Sequence, residues 1–244
     1  MAKTLGLIGS GIIATALARR ALDAGYDVVL SNSRGPETLS DLVAELGKGA
    51  RAATPAEAAR AGDIVVAAVP LHAYVQLPRP ELDGKIVIDV MNYVPSRDGN
   101  IPELDTNELT STGLLQRQLP ESKVVKVFNS IPDRHLLALA RTADAPDRSA
   151  LPLAGNTSDA KKQVADLLNS FGFDAVDIGD LSESWRFEPN TPLYALVYAG
   201  QLPSGLSPLE LYGWFMEAAP VPAPAELIQK LATVTERGPA GLSL

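Results

Sequence analysis

Residues 3–14 read Lys-Thr-Leu-Gly-Leu-Ile-Gly-Ser-Gly-Ile-Ile-Ala, and this stretch decides the fold. Its first half is a short apolar run, typical of a buried parallel strand. The second half, Gly9 to Ala14, has the spacing G-x-G-x-x-A and leads into apolar residues at helical intervals up to Gly25. A strand, a glycine turn and a helix in this order predict a dinucleotide-binding unit.

Each small residue of this turn has a physical role in such a unit. Gly9 permits the tight turn, Gly11 lets the backbone approach a pyrophosphate, and Ala14 allows the helix to pack closely on the strand. The helix N-terminus then offers free N–H groups and the positive end of its dipole to the phosphates. A glycine-rich turn without a ligand is the alternative, but the matching strand and helix favour binding.

The end of the second strand, residues 27–31, indicates which dinucleotide binds. NAD enzymes place Asp or Glu there, about 20 residues beyond the glycines. Here the chain continues Asn32-Ser33-Arg34, with no carboxylate before Glu37. Ser33 can donate a hydrogen bond to a 2′-phosphate and Arg34 a charge-assisted one, so this turn predicts NADP. The alternative is a polar turn with a solvated arginine.

Strands and helices continue to alternate along the chain. Further helices are predicted at 37–46, 55–61, 133–141 and 158–171, and further strands at 63–69, 85–89, 123–128, 151–155 and 175–178. This order predicts an α/β fold, a doubly wound parallel Rossmann-type sheet, over residues 1–180.

Residues 181–244 form a second, proline-rich segment that contains eight of the 19 prolines. We interpret this segment as a C-terminal arm with two short helices, near 207–217 and 224–234. A segment without its own core is stabilised only by docking. We therefore expect Trp185, Trp214 and Phe215 to pack on the ligand end of the sheet or on a partner subunit.

The ligand site of a doubly wound sheet lies beyond the carboxyl ends of its strands. Six candidate residues follow three predicted strands there: Val69, Pro70, Leu71, His72, Asn92 and Asn129. The two asparagines could bond the ribose or the carboxamide, or could simply end their strands. His72 could bond cofactor or substrate, or could face solvent. Asp89 is expected to cap a neighbouring loop, and His135 to have a structural role.

No acid–base pair is evident in the sequence. Neither Ser-x-x-x-Lys nor Tyr-x-x-x-Lys stands where a ketone-reducing dehydrogenase would hold one. A site of this kind suits hydride transfer between two ring cofactors, because the cofactors carry the chemistry. His72 is then the one candidate catalytic residue. Its replacement by Ala is expected to slow turnover by less than the roughly 10²–10⁴-fold that a general acid or base supplies.

Composition limits the classes of function. The chain of 244 residues carries a net charge of −8, with no cysteine and two histidines. The acidic balance disfavours nucleic acid, and the residue content disfavours a metal centre. No apolar run approaches the ~20 residues of a membrane helix. We expect a cytoplasmic homodimer whose partner is a small-molecule electron acceptor.

Five elements resemble the NADPH-dependent coenzyme F-420 (8-hydroxy-5-deazaflavin) oxidoreductase family. They are Gly9-Ser-Gly-Ile-Ile13, Ser31-Asn-Ser-Arg-Gly-Pro-Glu37, Val69-Pro70, Asn129-Ser-Ile-Pro132 and Ala154-Gly-Asn156. The cytoplasmic reductase domain of transmembrane metalloreductases, which shares that fold, is more distantly similar. The resemblance covers roughly residues 3–180.

The resemblance implies hydride transfer between NADPH and coenzyme F-420, with a flavin as the second choice of acceptor. It also implies contacts to NADP from three groups of residues: Ser10, Gly11, Ile12 and Ile13 at the pyrophosphate, Ser33 and Arg34 at the 2′-phosphate, and Leu71 and Val75 beside the nicotinamide. Two features depart from the family: Asn129 stands where archaeal members carry His, and the chain continues well beyond the sheet.

Two other functions stay open. An imine or β-hydroxyacid reductase usually appends a long helical domain, and the residues after 180 are too few and too rich in proline for one. A non-catalytic NADP-binding sensor would have the same cofactor site. Turnover of NADPH with any acceptor separates these classes.

Overall fold

The structure, a computed structural model, describes residues 2–201, 203–205 and 207–242. Within these residues the strands are β1 (Thr4–Ile8), β2 (Asp27–Ser31), β3 (Ala50–Ala52), β4 (Ile64–Ala67), β5 (Ile86–Asp89), β6 (Lys123–Lys126), β7 (Ala150–Gly155) and β8 (Asp174–Gly179). The α-helices are α1 (Ile12–Asp23), α2 (Ser40–Leu46), α3 (Pro55–Ala61), α4 (Arg79–Leu82), α5 (Pro95–Asp98), α6 (Pro102–Asp105), α7 (Ser111–Gln118), α8 (Asp133–Ala138), α9 (Ser158–Phe171), α10 (Pro208–Glu217) and α11 (Ala225–Val234). Short 3₁₀ helices span Pro36–Leu39, Leu71–Gln76, Leu181–Phe187 and Leu196–Tyr198.

The strands form one sheet in the order β3-β2-β1-β4-β5-β6-β7-β8. The first six strands of this order are parallel neighbours, which confirms the doubly wound α/β prediction and places the topological switch point between β1 and β4. The sheet is not parallel throughout, because β7 pairs with β6 in the antiparallel sense. The chain passes from β6 through α8, a helix of only six residues, and enters β7 from the carboxyl side of the sheet.

Most predicted elements lie where the pattern placed them, and three regions differ. The edge strand β3 was not predicted, because its three residues carry no β-branched side chain. Like the four-residue helix α4, helices α5, α6 and α7 were also not predicted. Helices α5 and α6 have four residues each and begin at a proline, which is too short for a helical period to show.

Two hydrophobic cores cover the two faces of the sheet, as expected for a three-layer α/β fold. Alternate strand residues face opposite cores: Val66 and Ile88 lie in the first, with side chains of α1, α9 and α11, whereas Val65 and Val87 lie in the second, with side chains of α7. Within the described residues no helix combines the length and apolar character needed to cross a membrane.

The residues after 180 pack on the sheet and join the first core. Its buried members from this segment are Phe187, Leu193, Tyr198, Ala223, Ile228 and Ala232. The Tyr198 hydroxyl donates to the carbonyl of Ala150 at 2.9 Å, and the Ala150 N–H donates to the carbonyl of Ala223 at 2.8 Å. The start of β7 is thus hydrogen-bonded to the C-terminal segment from two positions.

Candidate functional site

The glycine turn between β1 and α1 has the geometry that a pyrophosphate needs. Gly9 has φ +114°, and a Cβ built on it would lie 2.1 Å from the carbonyl oxygen of Ala68, so only glycine fits. Gly11 caps α1 without a side chain, and a Cβ built there would meet nothing within 4 Å. The first N–H groups of this 12-residue helix therefore border open space that an added side chain would fill.

The turn after β2 presents Ser33 and Arg34 to solvent. The Asn32 side chain holds the turn: its Oδ1 accepts from the Arg34 N–H at 2.9 Å, and its Nδ2 donates to Thr38 Oγ1 at 2.9 Å and lies 3.5 Å from Ser10 Oγ. Asn32 thus links the two loops that would hold the nucleotide. Ser33 and Arg34 are exposed, and Arg34 makes no ion pair with any described residue. A 2′-phosphate is the group that this pair fits.

Five predicted site residues follow β4, and they are not equally accessible. Pro70, His72 and Val75 are exposed, and Val69 is half-buried. Leu71 is fully buried in the second core, so its side chain does not face the ligand region that the resemblance implied for it. Two apolar side chains remain open at this end of the sheet, Ile12 (74% exposed) and Val75 (54%).

Asn92 and Asn129, which follow β5 and β6, are brought together. Nδ2 of Asn129 donates to Oδ1 of Asn92 at 3.1 Å and to the carbonyl of Phe187 at 2.9 Å, while Nδ2 of Asn92 donates to the Asn129 carbonyl at 3.0 Å. Oδ1 of Asn129 is buried and has no hydrogen-bond partner among the described residues. An unpaired buried acceptor costs about 1–3 kcal/mol, which an amide N–H of a ligand would offset.

His72 is hydrogen-bonded to a buried carboxylate. Its Nδ1 lies 3.0 Å from Oδ1 of Asp98, and its backbone N–H donates to the same oxygen at 3.3 Å. The Asp98 side chain is fully buried, whereas that of His72 is 48% exposed. Arg97 binds both Asp98 oxygens at 2.8–2.9 Å and donates to the carbonyl of Asn92 at 2.9 Å. The sequence motifs that were searched for did not reveal this hydrogen-bonded His–Asp pair.

Asp98 stays ionised because donors surround it. Burial by itself raises the pKa of this carboxyl, but hydrogen bonds from Arg97, from the Val94 N–H and from His72 outweigh burial and lower the pKa to about 2. The residue lies in α5, 26 positions after His72. Its only sequence signal is Pro95, which opens the short helix.

A buried ionic network lies next to Asn92, at the carboxyl end of β5 and β6. Lys126 donates to Asp89 at 3.2 Å, to Ser111 Oγ at 3.1 Å and to the carbonyl of Met91, and both side chains of the ion pair are fully buried. Asp89 accepts from the Met91 N–H at 2.8 Å and from Thr112 at 2.6 Å, which confirms its predicted role as a loop cap. The network fixes the carbonyl and the N–H of Met91, next to Asn92.

The C-terminal segment also reaches this end of the sheet. Ser111 donates to Glu188 at 2.9 Å, and the Ala195 N–H donates to the Ser130 carbonyl at 2.8 Å. Ala195 has φ +59° and ψ −50° and is the centre of a γ-turn, a strained conformation for a residue with a Cβ. Burial raises the pKa of Tyr194, against the effect of the nearby Arg97 guanidinium.

The aromatic residues of the segment contact cations in the structure. The guanidinium of Arg134, at the start of α8, lies 5.6 Å from the centre of the Phe215 ring, and that of Arg186 lies 4.4 Å from the centre of the Trp185 ring. His135 is fully buried beside the Ala218 carbonyl, and burial lowers its pKa, which fits a structural role. Across the described ranges, no group of three or more His, Asp or Glu could hold a metal ion.

Residues 4–93 match the family described as NADP oxidoreductase, coenzyme F420-dependent. The solved structure of the hypothetical protein SMa0349 from Sinorhizobium meliloti is 34% identical, with a TM-score of 0.69, and the match covers 80% of this chain and 94% of that chain. A candidate F420-dependent NADP reductase from Arthrobacter sp. FB24 is 26% identical, with a TM-score of 0.64 over 75% of this chain and 87% of that chain.

Residues 4–93 of this chain belong to that family. The mostly parallel sheet is of the Rossmann type, as in the Arthrobacter structure. Among curated proteins, the metalloreductase STEAP2 of Mus musculus is 32% identical over 193 residues, which are 78% of this chain. The chain spans about a third (36%) of the length of that relative.

Proposed function

We propose that this oxidoreductase passes hydride from NADPH to a flat, fused-ring acceptor, with oxidised coenzyme F-420 favoured and a flavin second. The nucleotide cradle carries the proposal. The open turn at Gly11, the exposed Ser33–Arg34 pair and the unpaired Oδ1 of Asn129 would hold the pyrophosphate, the 2′-phosphate and the carboxamide of one extended dinucleotide.

The acceptor side is open and partly apolar. Ile12 and Val75 expose their aliphatic side chains at this end of the sheet, which suits a ring that stacks rather than a small polar substrate. Hydride transfer between two rings depends on holding the reacting atoms about 3–3.5 Å apart. The likeness to the Arthrobacter candidate F420-dependent reductase supports a deazaflavin as the first acceptor to test.

One observation favours a second candidate, an imine or ketone reductase. The His72–Asp98 pair could supply the proton that reduction of a small C=O or C=N bond requires. We rank this function below the first, because the exposed aliphatic side chains of Ile12 and Val75 suit a stacking ring better than a small polar substrate.

An acceptor panel decides between the two. NADPH oxidation is followed with coenzyme F-420, FMN, FAD, small ketones and cyclic imines at equal concentrations. We expect turnover with coenzyme F-420 to exceed that with any ketone or imine by at least tenfold in kcat/KM. Turnover confined to ketones or imines would refute the first function and support the second, and binding of NADPH without any turnover would support the sensor.

A further inference from the structure

The imidazole of His72 has one nitrogen fixed by the protein and one left for a ligand. Nδ1 faces the buried Asp98 carboxylate at 3.0 Å, whereas Nε2 bonds to no residue that the structure describes. A carboxylate that accepts from Nδ1–H places all proton exchange at Nε2. His72 thus has the arrangement of a general acid whose orientation is set by a second residue.

The position of this imidazole matters as much as its geometry. His72 lies in the loop after β4, at the switch point beside the glycine turn, where a doubly wound sheet places its ligand. Hydrogen bonds run from Asp98 through Arg97 to the Asn92 carbonyl, and from Asn92 to Asn129. The imidazole is therefore tied to the same polar edge that would hold the nicotinamide.

We propose that His72 is the proton donor of the reaction and that Asp98 positions it. This inference rests on the proposed function. Reduction of a deazaflavin or flavin takes up one hydride and one proton. The dihydronicotinamide ring supplies the hydride but not the proton, so the proton needs a separate donor.

The reaction transfers one hydride and one proton to the acceptor. The C–H bond at C4 of the dihydronicotinamide breaks, and its electron pair forms the new bond to hydrogen on the acceptor ring. The electron pair displaced within that ring ends on a ring nitrogen, which takes the proton from Nε2 of His72. The dinucleotide is oxidised, the acceptor is reduced by two electrons, and His72 regains its proton from solvent.

The charged and titratable groups around His72 come from three elements. Asp98 and Arg97 face it from α5, and the two form an ion pair at 2.8 Å. Tyr74 shares its 3₁₀ helix. On the α7 side, Arg117 approaches Tyr74 and is paired with Glu103 at 2.7 Å. Both arginines are thus neutralised locally, and Asp98 is the charged group in direct contact with the imidazole.

The kinetic test compares His72→Gln and His72→Ala with Gln76→Ala, an exposed control on the same 3₁₀ helix. We expect both His72 variants to lose about 10²-fold in kcat with coenzyme F-420, while NADPH affinity, measured by fluorescence titration, changes less than threefold. The single-turnover rate of the wild type should fall as rising pH removes the proton of a general acid, and this slope should disappear in His72→Gln. Added imidazole should restore part of the rate of His72→Ala.

A second readout needs neither nucleotide nor acceptor. The chain has two histidines, so the ¹⁵N spectrum of histidine-labelled protein is assigned by comparison with His72→Gln. We expect neutral His72 to carry its proton on Nδ1, as donation to Asp98 requires. A neutral ring protonated on Nε2 overturns the proposal.

The outcomes separate this inference from the proposed function. Normal deazaflavin turnover with an unchanged pH slope in His72→Gln overturns the role of His72 and leaves the proposed function intact. Turnover confined to ketones or imines refutes the proposed function, and the same His72 variants are then judged on those substrates. No turnover with any acceptor overturns both.

Discussion

Lys126 should be a main determinant of stability, because it neutralises a carboxylate that no water reaches. The side chains of Lys126 and Asp89 are both fully buried. Lys126→Met keeps most of the side-chain volume, so little cavity cost arises, but it leaves Asp89 charged with only the Met91 N–H and the Thr112 hydroxyl as donors. Breaking a buried pair in this way costs about 3–5 kcal/mol, which is a fifth or more of the ~5–15 kcal/mol by which a typical domain is stable.

The assay is urea unfolding of Lys126→Met, Asp89→Asn and the double variant. Asn at position 89 can still accept from the Met91 N–H and carries no charge, so the double variant should lose about 2 kcal/mol less than the sum of the single variants. Lys123→Met, at the exposed start of the same strand, is the matched control and should stay within about 0.5 kcal/mol of the wild type. A cost below 1 kcal/mol for Lys126→Met, or strict additivity, would refute the reasoning.

Three further predictions concern the site. Gly11→Val should abolish NADPH binding in calorimetry with an unchanged melting temperature, because the new side chain fills the open space at the turn. The control Gly238→Val, where an added Cβ also has no neighbour within 4 Å, should bind NADPH normally. Normal binding by both variants would show that the glycine turn has only a structural role. The wild type should bind NADP at least tenfold more tightly than NAD, since a charge-assisted bond contributes about 1.5–3 kcal/mol. Arg34→Ala should reduce this preference, whereas the control Lys162→Ala should leave it unchanged. Equal affinities of the wild type for NADP and NAD would contradict the assignment. Asp98, whose folded pKa of about 2 lies below the ordinary value of 3.8, should stabilise the fold above pH 3.8 and lose that contribution as pH falls toward 2, so Asp98→Asn should be less stable than the wild type at pH 7 and closer to it at pH 2 in thermal melts.

The parts of the site that sequence could predict are those carried by neighbouring residues. The turn at Gly9 and Gly11 and the polar pair Ser33–Arg34 depend on spacing within a few positions, and the structure has them in the predicted places. The cap at Asp89 is equally local, since it bonds the N–H two residues on.

The parts that sequence could not predict depend on distant partners. Asp98 meets His72 across 26 positions, and Lys126 meets Asp89 across 37. A lysine in a strand pattern gives no sign of burial, because burial requires acceptors from several elements at one point. Leu71 is a second example of what sequence could not predict. Its position in the loop after β4 suggested contact with a ligand, but its side chain is buried in the core.

β7 runs antiparallel to β6, and the residues that form the nucleotide loops and those that form the far edge of the sheet come from different parts of the chain. The pairs of β7 with β6, Val125 with Gly155 and Lys126 with Ala154, involve only the last residues of β7, so the start of the strand projects past the end of β6 as a side wall. The C-terminal segment binds that projecting end. The loops that would hold the nucleotide extend to Asn129, whereas the wall is built from residue 150 onward. Substitutions at the start of β7 and in the segment that binds it can therefore accumulate without changing the residues of the glycine turn or of the Ser33–Arg34 turn.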